Sequence, residues 1–225
     1  MKDDDNDVDD EETLNHLSFT LRPLPGYLPC RCNIDGGRTQ ITIRPLRPDE
    51  IGDFYATMKE AASSGNGYGF DELAGLAYFV RWYVDDKYNI VYELAGNDTE
   101  EKPVVIGYNN FGPSMYTRSH EKPALFDGSI ILRSEFRGRR LVRDLTEIRI
   151  GIGVDCGVGS FFEETFITNV PGTKSLRRTG AVVCGTIPRH AYIRDCGFVD
   201  GVIFYKQLDD SHSFRLANRI VQCNI

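Results

Sequence analysis

The sequence predicts one α/β domain, of the α+β kind, behind an acidic N-terminal tail, and three observations carry that reading. Apolar residues recur with strand and helix periods in the order βααβββαβαββ between residues 41 and 206. A chain of 225 residues that is 41% hydrophobic buries one substantial core, and its length demands no second domain. Eight of the ten residues over 3–12 are acidic, a run that repels itself and offers almost no apolar surface. The expected boundaries are a disordered, solvated tail over 1–20, an irregular lead-in over 21–40, the folded domain over 41–208 and a C-terminal extension over 209–225.

The lead-in is expected to be irregular because Pro23, Pro25, Gly26, Pro29, Gly36 and Gly37 punctuate it. Ile41 and Ile43 alternate with Thr42 and Arg44 as the first strand. Pro48, Asp49 and Glu50 then put a proline and two acids where a helix N-terminus favours them, and this helix should run to about Ala62. The glycine-rich stretch 63–69 breaks the chain, after which Phe70, Leu73, Leu76, Ala77, Val80 and Val84 recur at helical spacing. The β-rich runs 88–94 and 104–111, joined by a polar segment over 96–101, read as an antiparallel pair, and 126–133 reads as a further strand. Leu141, Leu145, Ile148 and Ile152 mark a helix stripe. A strand over 161–168, a short helix over 172–179 and strands over 182–187 and 199–206 complete the order.

The formal net charge is −7, yet from Thr13 onward 25 basic residues balance 25 acidic ones, so the charge belongs to the tail. A near-neutral folded part lacks the clustered Lys/Arg excess that neutralises phosphates, so no nucleic-acid partner is expected. No apolar run reaches the ~20 residues that span a bilayer, and the N-terminus is acidic where a targeting peptide would be basic. No membrane partner is expected, and the location expected is cytoplasmic or nuclear. The six cysteines show no CxxC pairing, and disulfides are unusual in that compartment. Cys30 and Cys32 read as free thiols in a loop, no metal site is expected, and Asn97-Asp98-Thr99 reads as a polar turn.

Between the strand ending at Arg133 and the helix beginning near Arg139 lies Arg137-Gly138-Arg139-Arg140-Leu141-Val142. A strand-to-helix turn presents unpaired backbone N–H groups and the positive end of a helix dipole, a physical recipe for holding a pyrophosphate, and three arginines add charge. Downstream, Asn169 ends a strand, Gly172 follows three residues on, and Gly180 closes a short helix. These residues resemble the GNAT acetyltransferases, whose phosphate turn reads Arg/Gln-x-x-Gly-x-Gly/Ala and whose later segment reads Asn-x-x-Ser/Ala, a short helix, then Gly-Phe. Arg137 takes the first position of the turn, with Arg140 and Val142 where the family has small residues. Asn169, Gly172 and Gly180 take the Asn, Ser/Ala and Gly positions, with Ala181 in place of the aromatic residue. The likeness covers residues 41–206, and its later half is similar to the branches that acetylate ribosomal-protein alanine and azetidine-2-carboxylate.

The resemblance implies a mixed, mostly antiparallel twisted sheet, flanked by helices and splayed at the coenzyme A site. It implies acetyl-CoA as cosubstrate, bound by Leu132, Arg133, Phe136, Arg137, Gly138, Arg139, Arg140, Leu141, Asn169 and Gly172. Amides over 136–141 would hold the pyrophosphate, and a strand amide at Leu132 or Arg133 would polarise the thioester carbonyl. The reaction implied is transfer of acetyl to a primary or secondary amine of a small molecule or peptide, by direct attack in a ternary complex. Assembly as a homodimer is compatible with it.

An attacking amine must be neutral, which requires a base or a lowered amine pKa. His190 and Tyr192, between the last two strands, are the candidate proton carriers, beside Asn169 near the thioester. Asp71 and Glu72 read first as helix N-terminal charge, and Phe70, Tyr78, Phe79, Trp82 and Tyr83 as core or groove lining. Leu176 stands where many family members place a tyrosine that protonates the departing thiolate. Its absence, with Arg140 and Val142 in the turn, favours the alternative: a catalytically weak or inactive GNAT-like module that binds coenzyme A or a protein partner.

Overall fold

The computed structural model of the chain describes residues 22–65, 68–69, 73–95, 103–114, 125–215 and 220–223. The acidic run, Phe70, Asp71, Glu72, His120 and the Asn97 turn lie outside the described residues. Among the described residues nine strands form one sheet: β1 (Cys30–Ile34), β2 (Thr39–Pro45), β3 (Tyr88–Leu94), β4 (Val105–Pro113), β5 (Leu125–Leu132), β6 (Ser160–Phe166), β7 (Val182–Ile193), β8 (Gly197–Gln207) and β9 (Ile220–Cys223). Their order across the sheet is β7-β8-β6-β5-β4-β3-β2-β1-β9. Four α-helices, α1 (Ile51–Ser63), α2 (Leu76–Phe79), α3 (Leu141–Asp155) and α4 (Val170–Arg178), flank it.

The two faces of the sheet are covered by different helices. Phe54, Met58 and Ala61 of α1 pack with Phe79 against Val91, Tyr108 and Ile131, and Phe54 stacks on Tyr108 with ring centroids 4.9 Å apart. On the other face Leu145, Ile148 and Ile152 of α3 and Leu176 of α4 bury against Ile41, Ile43, Phe161 and Phe204. Burying side chains of this size contributes about 1.5–3 kcal/mol each, which is why the i, i+3, i+4 stripe of α3 was legible as a helix.

Every neighbouring pair of strands is antiparallel except β5 and β6. The exception follows from α3, whose crossover returns the chain in the same direction. The parallel pair is joined only at Leu125↔Ser160 and Phe126↔Phe161. Beyond those rungs the strands part. β5 stays paired with β4 as far as Leu132↔Gly107, and β6 with β8 as far as Phe166↔Gly201. The sheet is therefore splayed at its middle while each side of the split keeps its outer partner.

Four expectations change. The lead-in carries β1, in which Cys30, Cys32 and Ile34 alternate inward, so the two thiols are buried strand residues and not loop thiols. Cysteine fills these positions as a small hydrophobe, and its chemistry masked a period-two pattern. The C-terminal extension carries β9, which pairs with β1. The helix expected over 70–84 is α2, four residues long, followed by a π-helical turn over Val80–Val84. β7 continues to Ile193, because a register shift between Ile187 and Ala191 absorbs Pro188, which cannot donate to the ladder. Among the described residues no helix is long and apolar enough to cross a membrane, and no cluster of His, Cys, Asp and Glu could hold a metal ion.

Candidate active site

The split between β5 and β6 opens a cleft of about 240 Å³, continuous with solvent. Gly128 to Leu132 form one wall, Glu163, Glu164 and Thr165 the other, and the first residues of α3 and α4 close one end. The Arg133 amide donates to the Ile106 carbonyl at 3.0 Å, and the Ser129 amide to Asn110 Oδ1 at 3.2 Å. Amides of a strand point alternately to its two sides, so those at 128, 130 and 132 face the split. Of the two amides expected to meet a thioester carbonyl, Leu132 is therefore directed into the cleft and Arg133 away from it.

The turn that ends the cleft starts with a 3₁₀ turn over Ser134–Phe136, which uses two amides: Phe136 donates to Arg133 at 3.0 Å and Arg137 to Ser134 at 3.2 Å. Gly138 and Arg140 then adopt φ of +75° and +61°. A left-handed arginine costs on the order of 1 kcal/mol, strain of the kind that collects at functional sites. Arg140 is the N-cap of α3 and its side chain caps nothing. The amides of the first turn of α3 thus lie beyond a left-handed bend, without a bond from the N-cap side chain, a concavity suited to an anion.

The arginines around this turn are not equivalent. Arg137 donates from Nε to the Leu132 carbonyl at 3.0 Å, from Nη1 to Glu60 Oε1 at 3.0 Å, and from Nη2 to Glu60 Oε2. Arg133 pairs with Asp53, which also accepts the Tyr108 hydroxyl; burial and then that carboxylate push the Tyr108 pKa up to about 12. Phe136 is a core residue, with the Arg139 guanidinium 5.0 Å from its ring centroid. Arg139 and Arg140 are exposed.

Across the cleft, Asn169 caps α4: its Oδ1 accepts the Gly172 amide at 3.1 Å, and its Nδ2 donates to Thr165 Oγ1 at 3.0 Å. A Cβ at Gly172 would stand 2.6 Å from Asn169 Nδ2, which explains glycine where the GNAT pattern has Ser or Ala. His190 Nε2 lies 3.3 Å from Glu164 Oε1, with the His190 ring against Phe166. Tyr192 is half-exposed and packs edge-on to Phe198, alternating with buried Ile193, so it faces away from His190 and Phe166.

Leu132, Arg137, Gly138, Arg140, Leu141, Asn169 and Gly172 line the cleft, whereas Arg133, Phe136, Arg139, His190 and Tyr192 do not. Two lining residues escaped the sequence reading. Glu164 lines the split with its carboxylate beside His190, and Glu163 pairs with the buried Arg149 of α3; burial raises the Glu163 pKa against the pull of Arg149. Two adjacent acids inside a strand of Phe and Thr were the signal, because charge disfavours the middle of a sheet.

No protein-family model matches the chain, and no curated protein matches it. Solved structures do. A GCN5-related N-acetyltransferase from Kribbella flavida superposes with a TM-score of 0.63 at 18% identity, covering 75% of this chain and 98% of its own. A Salmonella typhimurium protein assigned as an acetyltransferase, solved with its cofactor acetyl-CoA, gives 0.62 at 18% identity over 76% of this chain and 95% of its own. The spermidine N-acetyltransferase of Vibrio cholerae, in complex with CoA and spermine, gives 0.56 at 15% identity over 74% and 95%. The fold is that of the GCN5-related N-acetyltransferases. This GNAT fold accounts for about three quarters of the chain.

Proposed function

We propose that the chain is an acyl-CoA-dependent N-acyltransferase that transfers acetyl from acetyl-CoA to a primary or secondary amine of a small molecule or peptide, by direct attack in a ternary complex. The observation that carries this reading is the cleft through the splayed sheet, with an amide-lined anion turn at one end and Glu164 on its wall, paired with His190 outside the lining. The residues fit the cofactor: amides of Gly138, Arg140 and Leu141 suit a pyrophosphate, exposed Arg139 and Arg140 supply charge, and alternate β5 amides suit an amide-bearing chain. When bound, acetyl-CoA supplies an activated acyl group. The Leu132 amide polarises the acyl carbonyl as charge develops on its oxygen. Glu164 accepts the proton of the attacking amine, and His190 behind it shares that proton. Asn169 keeps β6 and α4 in register at the mouth of the cleft.

The neighbours solved with acetyl-CoA, and with CoA and spermine, support the cosubstrate and an amine acceptor. A second reading, a module that binds coenzyme A without turning it over, is favoured by Leu176, which is buried in the core where a tyrosine acid would stand. Thiol release from acetyl-CoA, screened against amino acids, polyamines and peptide N-termini, decides between them. Release that depends on one acceptor class supports the enzyme. Binding by calorimetry without release supports the module, and absence of both overturns the assignment.

A further inference from the structure

We infer that Arg137 is a positioning strut and not a phosphate ligand, and that Glu60 of α1 is the residue that sets it. This inference rests on the reading that the turn before α3 holds the phosphates of an acyl-CoA.

An arginine has five N–H donors in a planar fork. Three of the five are already committed: Nε to the Leu132 carbonyl, and one hydrogen from each terminal nitrogen to the two oxygens of Glu60. The side chain thereby joins three pieces of structure. Leu132 is the last residue of the split strand, Arg137 immediately precedes the left-handed Gly138, and Glu60 belongs to a helix packed on the opposite face of the sheet. Seven residues before Glu60, and so on the same side of α1, Asp53 holds Arg133. One face of α1 therefore grips the loop over 133–137 at both its ends.

The grip acts on the chemistry through backbone. The Leu132 amide facing the cleft and the amides beyond Gly138 keep their relative placement only if the loop between them is fixed. α1 supplies a firm anchor because Phe54, Met58 and Ala61 on its inner side are fully buried. Charge argues the same way. If Arg137 swung to a phosphate, the Glu60 carboxylate would be left uncompensated beside that phosphate, and the two negative charges would repel.

Opposite results separate a strut from a ligand that Glu60 merely occupies. Glu60→Gln breaks the fork–carboxylate pair. A strut predicts acetyl-CoA binding weaker by up to about fivefold, the worth of one part-exposed ion pair. A phosphate ligand released from competition predicts tighter binding. The exchanged pair Glu60→Arg with Arg137→Glu sharpens the contrast. As a strut it regains most of the affinity that Arg137→Glu alone loses, whereas as a ligand it places a carboxylate at the phosphates and regains nothing.

Calorimetry on the full chain with acetyl-CoA reads all four proteins. Tighter binding by Glu60→Gln, or no recovery in the exchanged pair, overturns the strut. Should the unaltered chain itself fail to bind acetyl-CoA, the functional reading falls and the strut is judged by urea midpoints alone. Non-additive losses for Glu60→Ala and Arg137→Ala support it, and additive losses overturn it.

Discussion

At the scale of single residues, Asn169 ties a helix cap to the cleft wall. Its amide oxygen satisfies the first turn of α4 while its amide nitrogen holds Thr165 on the cleft wall. Asn169→Ala should lower stability by about 1 kcal/mol, the usual worth of such a cap. If Thr165 and the start of α4 align the reacting groups, turnover per folded molecule should fall further than that loss explains. Melting curves and steady-state rates on the same protein check this, and full specific activity with a lowered melting point would reduce Asn169 to a cap. The residues legible in the sequence were those whose meaning is local. Gly138 and Asn169 announce a left-handed bend and a helix start to neighbours a few positions away. Glu60 did not announce itself, because its partner lies 77 residues on and only the fold brings the two together. Glu164 was missed for the same reason: the strand that opens beside it is defined by a partner it lacks.

At the scale of elements, the junction of β2 and α1 sets the position of the helix that grips the loop before α3. Arg44 joins Glu50 and Glu93, and Glu50 also accepts from the Arg47 amide and side chain. Burial alone would raise the Glu50 carboxyl, but these donors hold it at about 2 against an ordinary 4.5. The folded-state pKa lies below the unfolded one, so the contribution is complete above about pH 4.5 and is lost as the pH falls toward 2. Between pH 6 and pH 3 the chain should therefore lose more of its urea midpoint than Glu50→Gln does; equal losses would show that the acid sensitivity lies elsewhere. Helix α3 was readable from its apolar stripe, α1 from the proline and acids at its start, and α4, whose buried residues are Ser175 and Leu176, from the Asn169 and Gly180 that bracket it. β1 and β9 were not. Each is short, and both lie beyond the first strand that alternates clearly, β9 at the edge and β1 between it and β2, where tertiary pairing decides the outcome.

At the scale of the whole molecule, charge and fold are separable. The acidic run accounts for the net charge and contains only Val8 among aliphatic residues over 3–12. Deleting residues 1–12 should leave the melting temperature and acetyl-CoA affinity unchanged, because such a segment has little to bury. A clear drop in either on truncation would give the segment a structural role. The sheet itself is less uniform than its nine-strand count implies. Among the described residues two ladder rungs are all the strand pairing between a six-strand half-sheet, β9 to β5, and a three-strand half-sheet, β6, β8 and β7. The molecule therefore carries a seam. An extended ligand whose own amides run along that seam would act as a tenth strand, giving the bare edges of β5 and β6 the partners they lack. Occupancy would then stiffen the protein along a line rather than at a point, and hydrogen exchange at the amides of 128, 130 and 132 would slow together as the seam is sewn shut.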